Sequence, residues 1–249
     1  MSEYSPPPVI LITGAARRVG AEIARVLHAA GATVVLHYRS SAAEAEALAG
    51  ELDARRPGSA TPVAGDLNDD DAPEAIVAAT LERHGRLDAV VNNASSFFAT
   101  PIGSIDTAAW NDLVGSNLKG PLFLSQAAAP SLRERRGAIV NIVDIHAERP
   151  LRDYPLYCVA KAGLLGLTRA LAVELAPEVR VNGVSPGPID WPEDGQFGPQ
   201  QRDEIIAHTL LGRVGSPADV ARTVRFLLFD APYVTGQIIA VDGGRSAHL

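Results

Sequence analysis

The sequence is short of cysteine and of positive charge, and it lacks long apolar runs; each shortage removes a class of protein. Of 249 residues one is cysteine, Cys158, which excludes an internal disulfide framework and a cysteine-rich metal site. Lysine and arginine total 22 against 29 acidic residues, a formal charge of −7. No basic face is then available for the phosphate contacts that dominate nucleic-acid affinity. No apolar run approaches the roughly 20 residues of a membrane span, and the opening Met-Ser-Glu-Tyr-Ser-Pro-Pro-Pro has neither the basic nor the apolar region of a secretion signal. A soluble cytoplasmic protein with no nucleic-acid or membrane partner is expected. The six histidines show no metal-ligand spacing such as HExxH, so no metal is expected. His28, His84, His208 and His248 read as surface residues, and His146 as a residue at the edge of a site.

What the chain does have is alternation. Short apolar runs at 9–12, 33–36, 89–91, 138–143 and 179–184 lack strict polar alternation, as strands buried on both faces do. Helical patterns lie between them at 19–30, 42–55, 72–84, 107–132 and 156–175, the last stopped by Pro177. This order predicts an α/β fold: a single domain over 1–249 with a doubly wound parallel sheet and helices on both faces. Residues 185–201, rich in proline and glycine, form the one long irregular stretch. In a compact domain such a stretch suits a functional loop, and a substrate loop is expected near 185–209.

Thr13-Gly14-Ala15-Ala16-Arg17-Arg18-Val19-Gly20 falls between the first strand and the first helix. A tight small-residue turn there lets a pyrophosphate rest on the helix N-terminus, where free backbone N–H groups and the dipole favour an anion. The middle glycine of the usual dinucleotide fingerprint is absent; Arg18 stands in that region and adds charge-assisted phosphate contacts. After the second strand comes His37-Tyr38-Arg39-Ser40-Ser41. An NAD site places an acid there for the ribose 2′-hydroxyl. With no carboxylate in that segment to repel a 2′-phosphate, and with Arg39, both serines and Arg18 able to hold one, NADPH is the expected cofactor. Asp66, followed by Leu67, fits either an acceptor for the adenine amine or the cap of the next helix.

Tyr157-Cys158-Val159-Ala160-Lys161 puts a phenol and an ammonium on one helical face, where the ammonium is expected to lower the phenol pKa from its reference of about 10. Asp144 follows one apolar run, Asn92-Asn93-Ala94-Ser95 ends another, and Asn117 lies in the helical pattern between them. Open α/β sheets bind ligands at the carboxyl ends of such strands. Cys158 reads as a small packing residue, and Phe98 as either cavity wall or core.

Over nearly its whole length the chain resembles the short-chain dehydrogenases/reductases. The resemblance rests on residues 13–20 and 92–95, Asn117, the Tyr157/Lys161 pair, Pro186-Gly187 and Val241-Asp242-Gly243-Gly244. It implies a Rossmann-type fold and a cofactor site that adds Tyr38, Leu67, Asn93, Ala94, Ser95, Pro186 and Gly187 to the residues above. Two positions depart from the broad pattern, which has serine at Asp144 and glycine at Ser95. Both resemble the pteridine reductases, as do the arginine in the first turn, Leu36-His37-Tyr38, Asn92-Asn93-Ala94-Ser95-Ser96-Phe97 and Val143-Asp144. Bacterial dihydromonapterin reductases share similar motifs.

That resemblance implies NADPH-dependent reduction of dihydropterins, with oxidised pterins and dihydrofolate as further candidates, by a homotetramer. In it Tyr157 donates the proton, Asp144 orients or passes it, and Lys161 binds the nicotinamide ribose. Asn117 supports Lys161 through water, Phe97 stacks on the pterin, and Ser95 bridges cofactor phosphate and pterin. Trp191, in the irregular stretch, leans towards substrate contact. A general carbonyl or 3-oxoacyl reductase, and a non-catalytic NADP-binding regulator, are the alternatives.

Overall fold

In the first strand, β1 (Val9–Ile12), side chains point alternately to the two sides of a sheet, and both sides are buried. Ile10 and Ile12 join one apolar cluster; Val9 and Leu11 join the other. A strand with two buried faces has no position for a polar residue, which is why the run is uniformly apolar. The structure, a computed structural model, describes residues 6–191 and 197–247.

Six more strands follow: β2 (Thr33–Tyr38), β3 (Ala60–Ala64), β4 (Ala89–Asn92), β5 (Ala138–Ile142), β6 (Arg180–Pro186) and β7 (Ile238–Val241). They form one parallel sheet in the order β3-β2-β1-β4-β5-β6-β7. Helices α1 (Arg18–Ala29), α2 (Ala42–Asp53) and α8 (Pro217–Arg225) bury their apolar sides on one face. On the other pack α3 (Ala72–His84), α5 (Gly120–Arg135) and α6 (Pro155–Glu174). This is the doubly wound Rossmann-type sheet. Strand order reverses between β1 and β4, so a crevice opens at the carboxyl ends of those two strands.

Two strands escape the sequence pattern because they are edges. β3 contains Pro62, which an edge strand tolerates, and β7 is only four residues of partly exposed side chains. The stretch at 107–132 is not one helix. It divides into α4 (Thr107–Val114), a π-helical turn (Gly115–Lys119) and α5. Pro121 has no N–H to give to the carbonyl four residues back, so the helical register slips there. The glycines flanking the slip let neighbouring chain come close: a Cβ on Gly115 would sit 2.1 Å from the Asn68 side chain, and one on Gly120 would sit 2.8 Å from Leu67.

The irregular stretch is shorter than the sequence suggests, since β6 runs to Pro186 and α7 (Pro199–Ala207) begins soon after. α7 buries no side chain, so it offers no apolar periodicity to read. Residues 192–196 of that stretch and His248 lie outside the described residues. α6 is long and apolar enough to cross a membrane by length and composition, against the expectation that no segment reaches span length. Lys161, Thr168 and Arg169 break its apolar run in sequence without shortening the helix. Lys161, Leu164, Leu165, Thr168 and Ala172 lie buried on one side of it.

His28 is buried and not a surface residue: its Nε2 meets the Ser59 hydroxyl at 2.6 Å, joining α1 to the start of β3. His84 is half-buried at the end of α3, and His208 is exposed as expected. Beneath the crevice runs a buried polar string. The Asn92 amide donates to Asn141 at 2.8 Å, and the Asn141 amide donates to Thr168 at 2.9 Å, tying β4 and β5 to α6.

His37, at 2 % exposure, holds the glycine-rich turn in place. Its Nδ1 accepts from the Gly14 N–H at 3.3 Å, and its Nε2 lies 3.0 Å from the Gly65 carbonyl. The two bonds together require the tautomer protonated on Nε2. Burial pushes its pKa down to about 4, against the pull of the Gly65 carbonyl and Asp66. A base whose folded pKa lies below its unfolded value stabilises the fold fully above the unfolded value, near 6.5, and that stability is lost as pH falls towards the folded one. The unfolding free energy from urea titration should therefore drop between about pH 6.5 and pH 4, by an amount on the order of 3 kcal/mol from this group. His37→Gln should flatten that dependence by about one proton in urea titrations at stepped pH. An unchanged slope would refute the assignment.

Candidate active site

The carboxyl ends of β1 and β4 are held together by one hydroxyl. Thr13 Oγ1 accepts from the backbone N–H groups of Asn93 and Ala94, each at 2.9 Å. The Asn93 amide answers by donating to the carbonyls of Thr13 at 2.9 Å and Gly14 at 3.1 Å. So tight an approach needs residues without side chains. Gly14 has φ +60°, and a Cβ there would sit 2.9 Å from the Ala94 Cα; a Cβ on Gly20 would sit 2.1 Å from the Gly14 oxygen.

Beside this junction lies a cleft of about 400 Å³, of a size that suits a small ligand. Its wall includes Gly14, Arg18, Val19, Gly20, His37, Tyr38, Arg39, Ser40, Ser41, Asp66, Leu67, Asn93, Ala94 and Ser95, all expected from the sequence, together with Arg17 and Ser116, which were not. The glycine cradle at the start of α1 and the arginines beside it fit a dinucleotide's phosphates.

Three details alter the sequence reading of this cleft. His37 spends both ring nitrogens on the backbone, so it shapes the turn. Asp66 does not cap α3, whose N-cap is Asp71; its carboxylate accepts from the Asn68 N–H at 3.0 Å. Arg39 is not far from a carboxylate: Asp112 of α4 approaches it at 3.3 Å across the cleft mouth. No local motif announces that pair, because the two residues lie 73 apart.

A second cavity of about 350 Å³ adjoins the first and shares Arg18, Val19, Asn93 and Ser95 with it. Asp144, Tyr157, Lys161, Phe97, Pro186, Gly187 and Trp191 meet there, as do His146 and Asp190. The Tyr157 hydroxyl donates to Asp144 Oδ2 at 2.8 Å, while Asp144 Oδ1 takes the His146 N–H at 2.8 Å. Lys161, 2 % exposed, donates to the Ile142 carbonyl at 2.9 Å and sits 5.7 Å from the centre of the Tyr157 ring. Burial pushes the Lys161 ammonium down to about 8.

The phenol moves the other way from the sequence expectation. Burial, then the Asp144 charge and the hydrogen bond to it, hold the Tyr157 pKa well above its usual value. One helical turn places Lys161 against the ring, and desolvation with a carboxylate on the hydroxyl outweighs that cation.

Asn117 sits in the π-helical turn with its amide fully engaged. It donates to the carbonyls of Ser96 and Leu113, both at 2.9 Å, and accepts from the Ser95 hydroxyl at 2.7 Å. It thus braces the segment that leads to Phe97, and its bond to Ser95 is direct. Phe97 stacks on Tyr154 at 4.6 Å and meets Tyr157 edge-on at 4.8 Å. Phe98 packs towards Leu113, Leu156 and Tyr157, on the core side. Cys158 is buried, takes the Leu151 N–H at 3.2 Å, and has its pKa raised by burial, as suits a packing residue. Trp191 is held by Phe197, 6.1 Å between centroids, and by the Arg202 guanidinium 5.1 Å above its ring. Gly187 is required because a Cβ there would sit 2.7 Å from Asp242. The sequence reading missed Ile205 and Arg245, which line this cavity from α7 and from the turn after the paired glycines.

Comparison with known proteins agrees with this geometry. The family model described as enoyl-(acyl carrier protein) reductase matches residues 14–246. Pteridine reductase 1 of Leishmania tarentolae is 42% identical over 99% of this chain and 99% of its own length. A 3-oxoacyl-[acyl-carrier-protein] reductase of Thermotoga maritima is 33% identical over 95% of the chain and 96% of its own. Another from Staphylococcus aureus is 34% identical over 94% and 96%. These relatives imply an oxidoreductase that uses a nicotinamide cofactor on a small molecule. With its cradle, its Tyr157/Lys161 pair and these relatives, the chain belongs to the short-chain dehydrogenase/reductase family.

Proposed function

We propose that this enzyme reduces dihydropterins to tetrahydropterins with NADPH. The observation that carries the reading is the Asp144 carboxylate on the Tyr157 hydroxyl at 2.8 Å, with Phe97 against the same ring at 4.8 Å. A flat heteroaromatic substrate matches an aromatic wall, and a ring nitrogen that gains negative charge on reduction needs a positioned acid. NADPH is favoured over NADH by Arg17, Arg18, Arg39, Ser40 and Ser41 along the first cavity, which together supply the charge-assisted contacts a 2′-phosphate needs.

The cofactor, when bound, supplies a hydride to the substrate carbon. Tyr157, held protonated through the neutral range, gives its proton to the neighbouring nitrogen as negative charge builds there. Asp144 accepts the hydroxyl's hydrogen bond, and so orients it and helps to pass the proton, where a serine could only hydrogen-bond. Lys161 holds the cofactor ribose and is fixed for that task by the Ile142 carbonyl. Ser95, braced by Asn117, faces both cavities. Residues 186–191 with Phe197 and Ile205 form the substrate side, with Trp191 in its wall. A homotetramer suits the exposed apolar residues Trp110, Phe123, Val159 and Val173 on α4 to α6 and Phe226, Phe229 and Tyr233 before β7.

The similarity to 3-oxoacyl reductases supports a second reading, ketone reduction, and one assay separates the two. Initial rates of cofactor oxidation with dihydrobiopterin, dihydromonapterin, dihydrofolate and a 3-oxoacyl thioester should give kcat/KM higher for a pterin than for the thioester, and higher with NADPH than with NADH. Turnover of the thioester alone would replace the pterin reading. Tyr157→Phe should lower kcat by at least about 100-fold with NADPH affinity within about threefold; near-normal turnover would remove Tyr157 from its role. Phe97→Ala should raise KM for the pterin about tenfold and leave that for NADPH unchanged, whereas an equal rise in both would make Phe97 structural.

A further inference from the structure

The second cavity ends, beyond Trp191, against a cation that the proposed chemistry does not use. Arg245 follows the paired glycines 243 and 244, both at positive φ. Asp242 fixes that turn: its carboxylate accepts from the N–H groups of Gly244 at 2.9 Å and Ser246 at 2.7 Å, and from the Ser246 hydroxyl at 2.6 Å. The carboxylate nearest in sequence to Arg245 is therefore committed to the backbone. The guanidinium itself donates once, to the Ile205 carbonyl at 2.9 Å, and it forms no ion pair with any described residue.

Another arginine shows what a purely structural role looks like. Arg180 sends its two terminal nitrogens to the carbonyls of Leu227, Leu228 and Ala231, closing off the end of the helix that follows α8. Arg245, with five N–H donors on its fork, brings one to the backbone and lines the second cavity. Burial lowers its pKa below the usual value, as for a cation partly stripped of water. His146 lines the same cavity, and Arg149, whose carbonyl meets the His146 ring, reaches the Ser246 carbonyl at 3.3 Å. In a chain of formal charge −7, a guanidinium without an ion-pair partner among the described residues, in a cavity wall where Asp144 is already taken by Tyr157 and the His146 N–H, is a specific feature.

We propose that Arg245 binds an anionic group, a carboxylate or a phosphate, at the end of the substrate remote from the reacting ring. The proposal rests on the pterin reading for the identity of that ring; the anion site itself does not. A carboxylate would come from a glutamyl tail on a pterin, and a phosphate from an ester or a phosphopantetheine arm. Bidentate contact between guanidinium and oxyanion would make substrates with such a tail better than those with a neutral one.

The test compares dihydrofolate, whose tail carries carboxylates, with dihydrobiopterin, whose tail is uncharged, using the full chain at saturating NADPH. In R245Q, kcat/KM for dihydrofolate should fall about tenfold and that for dihydrobiopterin should stay within about twofold, which also shows that the variant is folded. R245K should fall between. A parallel fall for both substrates, or no fall for either, overturns the proposal. If the wild type reduces only 3-oxoacyl thioesters, the pterin reading fails, and the comparison moves to a coenzyme A thioester and its phosphate-free N-acetylcysteamine counterpart. Selective loss on the coenzyme A substrate would uphold the anion site, and equal effects would overturn it. If no acceptor is turned over, equilibrium dialysis of dihydrofolate decides: tighter retention by the wild type than by R245Q supports the site, and equal retention overturns it.

Discussion

Everything functional in this chain hangs on the contact between Thr13 and the backbone of Asn93 and Ala94. It joins two parallel strands at the point where the sheet changes its winding direction, with β2 on one side and β5 on the other. One chain leaves that junction as the glycine turn and α1; the other leaves as the segment from Ser95 to Phe97. Because both start from the same fixed point, the two cavities share a wall. His37 steadies the first branch from below, and Asn117 steadies the second from behind. Rigid support of this kind is what positions reacting groups to within fractions of an ångström.

The acid–base pair shows how environment overrides spacing. Tyr157 and Lys161 are one turn apart, yet the phenol responds to its burial and to Asp144 more than to the ammonium. Asp144 therefore does more than replace a neutral hydroxyl. It sets a second ionisable group against the phenol and helps the phenol keep its proton. The carboxylate is itself anchored by the His146 N–H, so the pair depends on the short turn after β5 as well as on α6.

Much of this was legible in the sequence, for reasons that differ by element. Central strands β1, β4 and β5 announce themselves because burial on both faces leaves them apolar but for Asn92 and Asn141, which hydrogen-bond to each other. The edge strands β3 and β7, with a proline in one and exposed side chains in the other, carry no such mark. The residues around Tyr157, Asp144 and Ser95 were found because each stands at a strand end or on one helical face. Asp112 and Arg245 were not, since the first reaches the cofactor cleft from a distant helix and the second enters the substrate cavity by a turn that only tertiary packing defines. The π-helical turn is an intermediate case: Gly115, Gly120 and Pro121 are visible, but their joint effect depends on Asn68 and Leu67 pressing against them. The Tyr157 pKa shifts opposite to the sequence expectation because desolvation is a property of the packed site, and no local spacing reports it.

The ion pair between Arg39 and Asp112 leaves an arginine of the first cavity's wall weakly held. Their side chains are half-exposed, and pairs of that kind contribute only about 0–1 kcal/mol. The same Asp112 oxygen also receives the Ser96 hydroxyl at 2.9 Å and the Asn68 amide at 3.4 Å. When an incoming anion draws Arg39 away, Asp112 keeps two donors, so no carboxylate is left stranded. Arg39 is thus tied to α4 by a contact that Asp112 does not depend on.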